Sequence, residues 1–451
     1  MKELPTNCIF NKGITGCGGT ELALRNNKHT IIAMPFISLV RNKADNDLHK
    51  DKVIGVDGST TIHEIKQYIT EHKVWKIAVV YDSLPKVIEA FQEMDINPFN
   101  KCFLLVDEYH VLFNQYVFRD KAIRKLLEIA TCFEEKTYMS ATPLHEESML
   151  KELKDLPIYD VVWPNKREVT VTHQPTSSPQ RYTIRLIEDK LDDKIFGNLH
   201  IFVNSVKFIN SVLNKVVISP DDVKVVCADN EENKAKLNGI KIGKASDAPC
   251  KVNFYTSTCF EGCDIFDKEG RSYVISEGRN PNTLYDISTL FIQIIGRIRD
   301  SNYRDNITHV TSSSYYKGEV SFEQYKDMMM EEYKTAMESI SNYNSRERPL
   351  RKEIINQYGK DHFINRFIHV NENYFYSMDE NLLNKSLMDY RIKTEIYNKS
   401  HHLLTTYKKN GLNIKRSDHI KYSDQLKRNS NSRMKYKDVA EEYHSICSTL
   451  T

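Results

Sequence analysis

Glycine is scarce in this chain, sixteen in 451 residues, about half of ordinary usage. Yet Gly13, Gly16, Gly18 and Gly19 fall within seven positions. A chain that avoids glycine and then clusters four has a backbone there that other residues resist, through positive φ or the close approach of another group. The run Gly13-Ile-Thr-Gly-Cys-Gly-Gly-Thr20 follows a short apolar segment at 8–10 and precedes a helix-forming one at 20–25. A glycine turn between strand and helix lets successive backbone N–H groups converge on phosphate oxygens, and the helix start adds positive potential. Against the pattern G-x-x-x-x-G-K-[ST], Gly13, Gly18 and Thr20 match, and Thr20 is placed to ligate Mg2+. Gly19 stands where that pattern has its lysine. On this loop alone a nucleotide site and a tight strand-to-helix turn are equally good readings. Lys12, just before Gly13, is the nearest cation able to fold back over phosphates.

The surrounding pattern is α/β. Short β-branched or apolar runs at 8–10, 30–34, 75–81, 102–106 and 136–139 alternate with amphipathic stretches, as in a parallel sheet. The segment 171–180 carries Pro175 and Pro179 among polar residues and reads as a linker. Strand-like runs then resume at 200–203, 223–228, 252–256 and 272–276. Two α/β units, 1–170 and 181–312, are therefore expected, with a cleft between them and a helical, polar domain over 313–451. No run approaches the length of a membrane span, since the best, 30–40, is broken by Pro35. The first seven residues lack a signal-peptide core, so a cytoplasmic location is expected. The nine cysteines form no C-x-x-C pair and read as free thiols of a reducing compartment.

Two further segments carry chemistry. Leu104-Leu-Val-Asp-Glu-Tyr-His110 ends an apolar run in tandem carboxylates. Asp107 suits a water-mediated hold on Mg2+ and Glu108 a general base for an attacking water, the alternative being an ordinary acidic strand end. Some thirty residues on, Ser140-Ala-Thr-Pro143 follows the run at 136–139, where Ser140 and Thr142 can couple the acidic motif to a neighbouring lobe.

DEYH followed by SATP resembles motifs II and III of superfamily 2 helicases of the DEAD/DEAH type. Other segments are similar to the remaining motifs, in order. Met34–Arg41 resembles motif Ia, with Pro35 and Arg41 toward nucleic acid. Tyr81-Asp-Ser-Leu84 is similar to the segment after the third strand in viral helicases of this type. Ile201–Ser205 resembles motif IV, with Asn204 toward nucleic acid. The segment 256–265 resembles motif V, with Thr256 on nucleic acid, Glu261 an informative position, and Gly262 and Asp264 on the nucleotide side. Gln293-Ile-Ile-Gly-Arg-Ile-Arg299 resembles motif VI. Its G-R-x-R spacing looks like herpesvirus-type origin-binding helicases and their phage relatives.

The resemblance covers residues 8–300. It implies two tandem RecA-like parallel-sheet domains plus a helical C-terminal domain, with ATP and Mg2+ in the cleft. Thr20 and Asp107 would hold the metal, and Lys12, Gly13, Gly16, Gly18 and Gly19 the phosphates. Glu108 and Gln293 would act on the attacking water, with Arg297 first and Arg299 second as the arginine reaching the γ-phosphate. The implied activity is that of an ATP-dependent helicase or translocase, in a viral or phage replication setting. The expected partner is nucleic acid, DNA favoured over RNA, together with replication proteins. The alternative is a nucleic-acid-binding or scaffold protein that kept the fold with impaired turnover.

The formal net charge of +2 hides an asymmetry, because residues 391–437 hold thirteen Lys/Arg against three Asp/Glu. Lys408, Lys409, Lys415, Arg416, Lys421, Lys427, Arg428, Arg433, Lys435 and Lys437 suit phosphate contacts, and the interleaved Tyr407, Tyr422 and Tyr436 suit stacking on bases. A solvated face is the other reading of such a run.

Overall fold

The computed structural model describes residues 3–421 apart from 46–47, 50, 165–166, 238, 315–319, 358–361 and 363–365. The first lobe is built on β1 (Cys8–Asn11), β2 (His29–Met34), β3 (Ile54–Val56), β4 (Lys76–Val80), β5 (Cys102–Asp107), β6 (Glu135–Ser140) and β7 (Ile158–Asp160). They pair in parallel in the order β3-β4-β2-β5-β6-β1-β7. β5 is buried along its whole length. Its alternate residues enter two separate cores, Leu104 and Val106 on one face, Phe103 and Leu105 on the other. A strand covered on both faces reads as a continuous apolar run for this reason.

The second lobe repeats the plan with β8 (Thr170–Pro175), β9 (Leu199–Phe202), β10 (Val223–Val226), β11 (Val252–Tyr255), β12 (Arg271–Ser276) and β13 (Asn306–Thr311). Beyond it the chain is mainly helical, with Phe322–Asn344 opened by a Ser321/Gln324 capping box. A hairpin of β14 (Ile368–Val370) and β15 (Tyr376–Met378) and the helices Glu380–Arg391 and Ser400–Lys409 follow. The chain then returns to the second sheet as β16 (Asn413–Arg416), giving the parallel order β10-β11-β9-β12-β13-β8-β16. The architecture is thus two RecA-like parallel-sheet domains followed by a helical C-terminal region. That region touches both lobes: Asp379 pairs with Arg124 at 2.5 Å, and the Tyr397 hydroxyl donates to the Tyr285 carbonyl at 3.1 Å. No helix among the described residues is long and apolar enough to cross a membrane.

Three expectations need correction. The segment 171–180 is not a linker but strand β8 and the start of a helix capped by Ser178. Its polar look arises because β8 buries His173 with a specific partner, the Thr311 hydroxyl at 2.8 Å. The chain also does not leave the second lobe for good at 313, since Leu403, Leu404, Tyr407 and Leu412 belong to that lobe's core. Tyr407 is accordingly no base-stacking residue: it is fully buried and bonded to His309 at 2.5 Å. Lys427, Arg428, Arg433, Lys435, Lys437, Tyr422 and Tyr436 lie outside the described residues.

The buried β8 histidine makes the second lobe acid-sensitive. Burial, with a smaller push from Arg416 on the neighbouring strand, takes His173 down to about 4. An unfolded imidazole titrates near 6.5, so at pH 7.5 both states are neutral. As pH falls from about 6.5 toward 4, only the unfolded chain gains the proton, and stability is lost across that window. His173 is expected to account for about 2 kcal/mol of the stability the second lobe loses in urea unfolding between pH 7.5 and 5, and His309 and His200, which burial also holds below the ordinary imidazole range, add to that loss. The His173→Gln variant should lose this part of the pH dependence.

Candidate nucleotide site between the lobes

β1 ends at Asn11, and the chain enters the glycine loop with Lys12 buried. Gly13, Gly16 and Gly18 have φ of 72°, 73° and 87°. Side chains at Gly16 and Gly18 would meet nothing within 4 Å, so there it is the left-handed backbone that calls for glycine. Gly19 opens the helix α1 (Gly19–Arg25) and is constrained differently. A Cβ there would lie 2.6 Å from the Met139 sulfur and 3.7 Å from Lys12 Cδ. The aliphatic stem of Lys12 therefore passes beside the backbone that would otherwise carry the lysine of the usual pattern.

Lys12 Nζ reaches both tandem carboxylates, Asp107 Oδ1 at 3.3 Å and Glu108 Oε1 at 2.9 Å. Thr20 donates its hydroxyl to Asp107 Oδ2 at 2.7 Å. Burial pulls the Lys12 ammonium down, but Asp107 and Glu108 outweigh it and hold it protonated. Burial likewise pushes the Glu108 carboxyl up, and Lys12, His110 and Arg297 hold it below the usual range, ionised. Glu108 has φ of 55°, a left-handed conformation uncommon outside glycine. The Tyr81 hydroxyl braces this turn by donating to the Asp107 carbonyl at 2.6 Å.

The second lobe closes onto the same groups. Gln293 Nε2 donates to Thr142 Oγ1 at 3.1 Å and to Glu108 Oε2 at 3.4 Å. Ser140 Oγ accepts from the Thr142 amide at 3.0 Å and lies 2.8 Å from His110 Nδ1. The other ring nitrogen of fully buried His110 meets Glu261 of the second lobe at 2.7 Å. Arg297 bonds within its own lobe: to the Gln293 carbonyl at 2.8 Å, Gln293 Oε1 at 2.9 Å and the Cys263 carbonyl at 3.0 Å. Arg299 pairs with Asp264 at 2.7 Å and extends to Thr15 Oγ1 of the glycine loop at 3.3 Å. Of the two arginines, Arg299 is the one in contact with the glycine loop.

The structure therefore brings together Lys12, Thr20, Asp107, Glu108, Ser140, Thr142, Gln293, Arg297 and Arg299. Gly262 packs on the first lobe: an added Cβ would sit 3.0 Å from Phe36 and Leu39, a lobe-to-lobe contact. The residues read as facing nucleic acid are mostly engaged. Pro35 is buried, with its carbonyl accepting from Arg119 at 2.9 Å. Arg41 pairs with Asp57 at 2.5 Å and stays half-exposed. Asn204 Oδ1 accepts from the Ser257 amide at 3.2 Å. Thr256 is buried, its hydroxyl on the Val226 carbonyl at 3.3 Å, whereas Ser257 and Thr258 are exposed.

Sequence reasoning gave His110 no role, although it is the fourth letter of DEYH, and left Glu261 without one. Nothing in the sequence marks Thr15. Among the described residues no group of three or more His, Cys, Asp or Glu could hold a metal. A cation here would be held by Thr20 and Asp107 together with phosphate oxygens, the usual manner for Mg2+. A glycine loop open at Gly16 and Gly18, one buried cation and a hydroxyl–carboxylate pair fit Mg-ATP.

No protein-family model matches the chain, and no curated protein matches it significantly. Solved structures similar to it include the Mycobacterium smegmatis helicase Lhr bound to ssDNA and AMP-PNP, with 13% identity, 68% of this chain covered and a TM-score of 0.42. The chain spans 44% of that Lhr's length. Mss116p bound to ssRNA and AMP-PNP gives 12% identity, 77% of this chain, 81% of that one and a TM-score of 0.45. Saccharomyces cerevisiae Dbp5 bound to RNA and ADP BeF3 gives 12%, 68%, 79% and 0.41. At these scores the likeness adds nothing to the strand orders, on which the RecA-like assignment rests. The expected preference for DNA over RNA finds no support here: two of these three proteins are described with RNA and one with ssDNA.

Proposed function

We propose that the chain is a nucleic-acid-dependent ATPase of superfamily 2, a helicase or translocase, with its site between the glycine loop and Gln293–Arg299. The observation that carries this reading is Glu108. One of its oxygens faces Lys12 of the loop at 2.9 Å and the other faces Gln293 of the second lobe at 3.4 Å. An ionised carboxylate so placed accepts the proton of an attacking water on Oε2, and Gln293 orients that water. Lys12 takes the part of the missing loop lysine and neutralises phosphate charge. Thr20 and Asp107 would hold Mg2+, which would supply neutralisation of the phosphate charge. Ser140, Thr142 and His110 tie the state of this site to the second lobe, so that hydrolysis opens and closes the cleft. The G-R-x-R spacing of Arg297 and Arg299 supports a place beside the herpesvirus-type and phage helicases.

The test is ATP hydrolysis by the full chain with and without poly(U) or poly(dT). Stimulated turnover is expected, falling about 10²-fold in Glu108→Gln. Turnover no higher than that of Glu108→Gln, with nucleotide still bound, would favour the scaffold reading instead.

A further inference from the structure

The helix Tyr116–Cys132 is broken near its start, at Arg119, whose φ of −128° and ψ of 28° lie outside helical values. The residues just before the break have opposite fates. Tyr116 is buried and bonded to Asp379 at 3.1 Å, while Phe118 is 84% exposed and Val117 is 52% exposed. Isolated exposed apolar residues are normal, but this one stands on a built support. The Arg119 guanidinium donates to the Pro35 carbonyl at 2.9 Å and to Gln115 Oε1 at 3.0 Å. It also pairs with Asp82 and lies over the Tyr81 ring, 5.6 Å from its centre. One side chain thus pins the kink to the segments leaving β2 and β4. It holds Phe118 at the carboxyl ends of the strands, where parallel sheets of this kind bind ligands.

We propose that Phe118 is a stacking platform for an unpaired base of a bound nucleic-acid single strand. This deepens the proposed function and rests on it. Three observations point to that occupant. Lys121, one turn on, is exposed and Arg41 is half-exposed, so cations for phosphates lie on the same lobe. Ile37, two residues beyond Pro35, is 54% exposed and follows the carbonyl that Arg119 holds. The loop carrying the exposed Ser257 and Thr258 meets the first lobe where Gly262 packs on Phe36 and Leu39, the residues flanking Ile37 and Ser38. An aromatic beside phosphate-contacting cations is how single strands are held regardless of sequence. The platform also has a physical link to the nucleotide site: Arg119 lies on Tyr81, whose hydroxyl holds the Asp107 carbonyl.

The experiment is fluorescence anisotropy of the full chain on labelled 20-mers of poly(U) and poly(dT), and on an abasic strand of the same length. Phe118→Ala is expected to weaken binding of the base-bearing strands about five- to hundred-fold, the range given by loss of one base–aromatic stack. Phe118→Trp should stay within about twofold of wild type. On the abasic strand wild type and Phe118→Ala should bind alike. An unchanged thermal unfolding midpoint for Phe118→Ala confirms that the effect is local. If wild type binds the base-bearing strands and Phe118→Ala binds them equally, the platform is wrong while the nucleic-acid reading stands, and a protein's apolar side chain becomes the better occupant. If wild type binds neither strand, both fail.

Discussion

Arg299→Ala should lower nucleic-acid-stimulated kcat by about 10³–10⁵-fold, the effect of removing an arginine finger in P-loop NTPases, with little change in the unfolding midpoint. Arg299 stretches between two elements: Nε is on Asp264 at 2.7 Å and Nη1 is 3.3 Å from Thr15 in the glycine loop. Its side chain is partly exposed, so removing it opens no packed core. Arg297 is a different case. It is buried, and its guanidinium holds the Gln293 side chain and two backbone carbonyls. Truncating it leaves buried acceptors unpaired, which costs about 1–3 kcal/mol for each group. Arg297→Ala should therefore depress both kcat and the unfolding midpoint. Arg297→Lys should not restore it, because one ammonium cannot reproduce a planar fork across three acceptors. Single-turnover hydrolysis and thermal unfolding of the three variants decide the matter. A larger kcat loss in Arg297→Ala with an unshifted midpoint, and less than about tenfold in Arg299→Ala, would return the finger role to Arg297.

The fold was legible wherever burial on both faces imposed an apolar run. β2, β4, β5 and β9 stand out for that reason, and their alternate side chains feed separate cores. β3, β7, β8, β13 and β16 were missed: Ile54–Val56 and Ile158–Asp160 are only three residues long, and Thr170–Pro175, Asn306–Thr311 and Asn413–Arg416 are largely polar. β8 compensates through one specific bond, His173 to Thr311, while β16 lies at the sheet edge with most residues exposed. Periodicity carries no trace of either solution. The site was legible where residue types cluster in sequence, as in the glycine loop, DEYH and SATP. It was illegible where the decisive relation is spatial. Arg299 and Thr15 are 284 residues apart, and His110 finds Glu261 only once the lobes face each other. Tyr407 shows the converse: a tyrosine among lysines suggested a base-stacking surface, yet the helix turns it into the core.

Lys12→Ala should lower kcat by about 10²–10³-fold, as loss of one preorganised donor to developing charge does, and should weaken ATP binding as well. The position of the usual loop lysine shows why this lysine comes from the other end of the loop. A side chain at Gly19 would begin 2.6 Å from the Met139 sulfur, well inside van der Waals contact. The space beside it is already taken by the Lys12 stem, which delivers Nζ to Asp107 and Glu108. Glycine at 19 and lysine at 12 are thus two halves of one arrangement. Moving the lysine back with Lys12→Ala plus Gly19→Lys should leave turnover as low as Lys12→Ala alone. Adding Met139→Ala, which removes the obstructing sulfur, is the change expected to recover part of it. ATP binding and hydrolysis by wild type, these three variants and Gly19→Lys alone separate the possibilities. If Lys12→Ala keeps most of the wild-type turnover, Lys12 is no phosphate ligand and the glycine loop works without a lysine. If Gly19→Lys alone raises turnover, the steric account of Met139 falls.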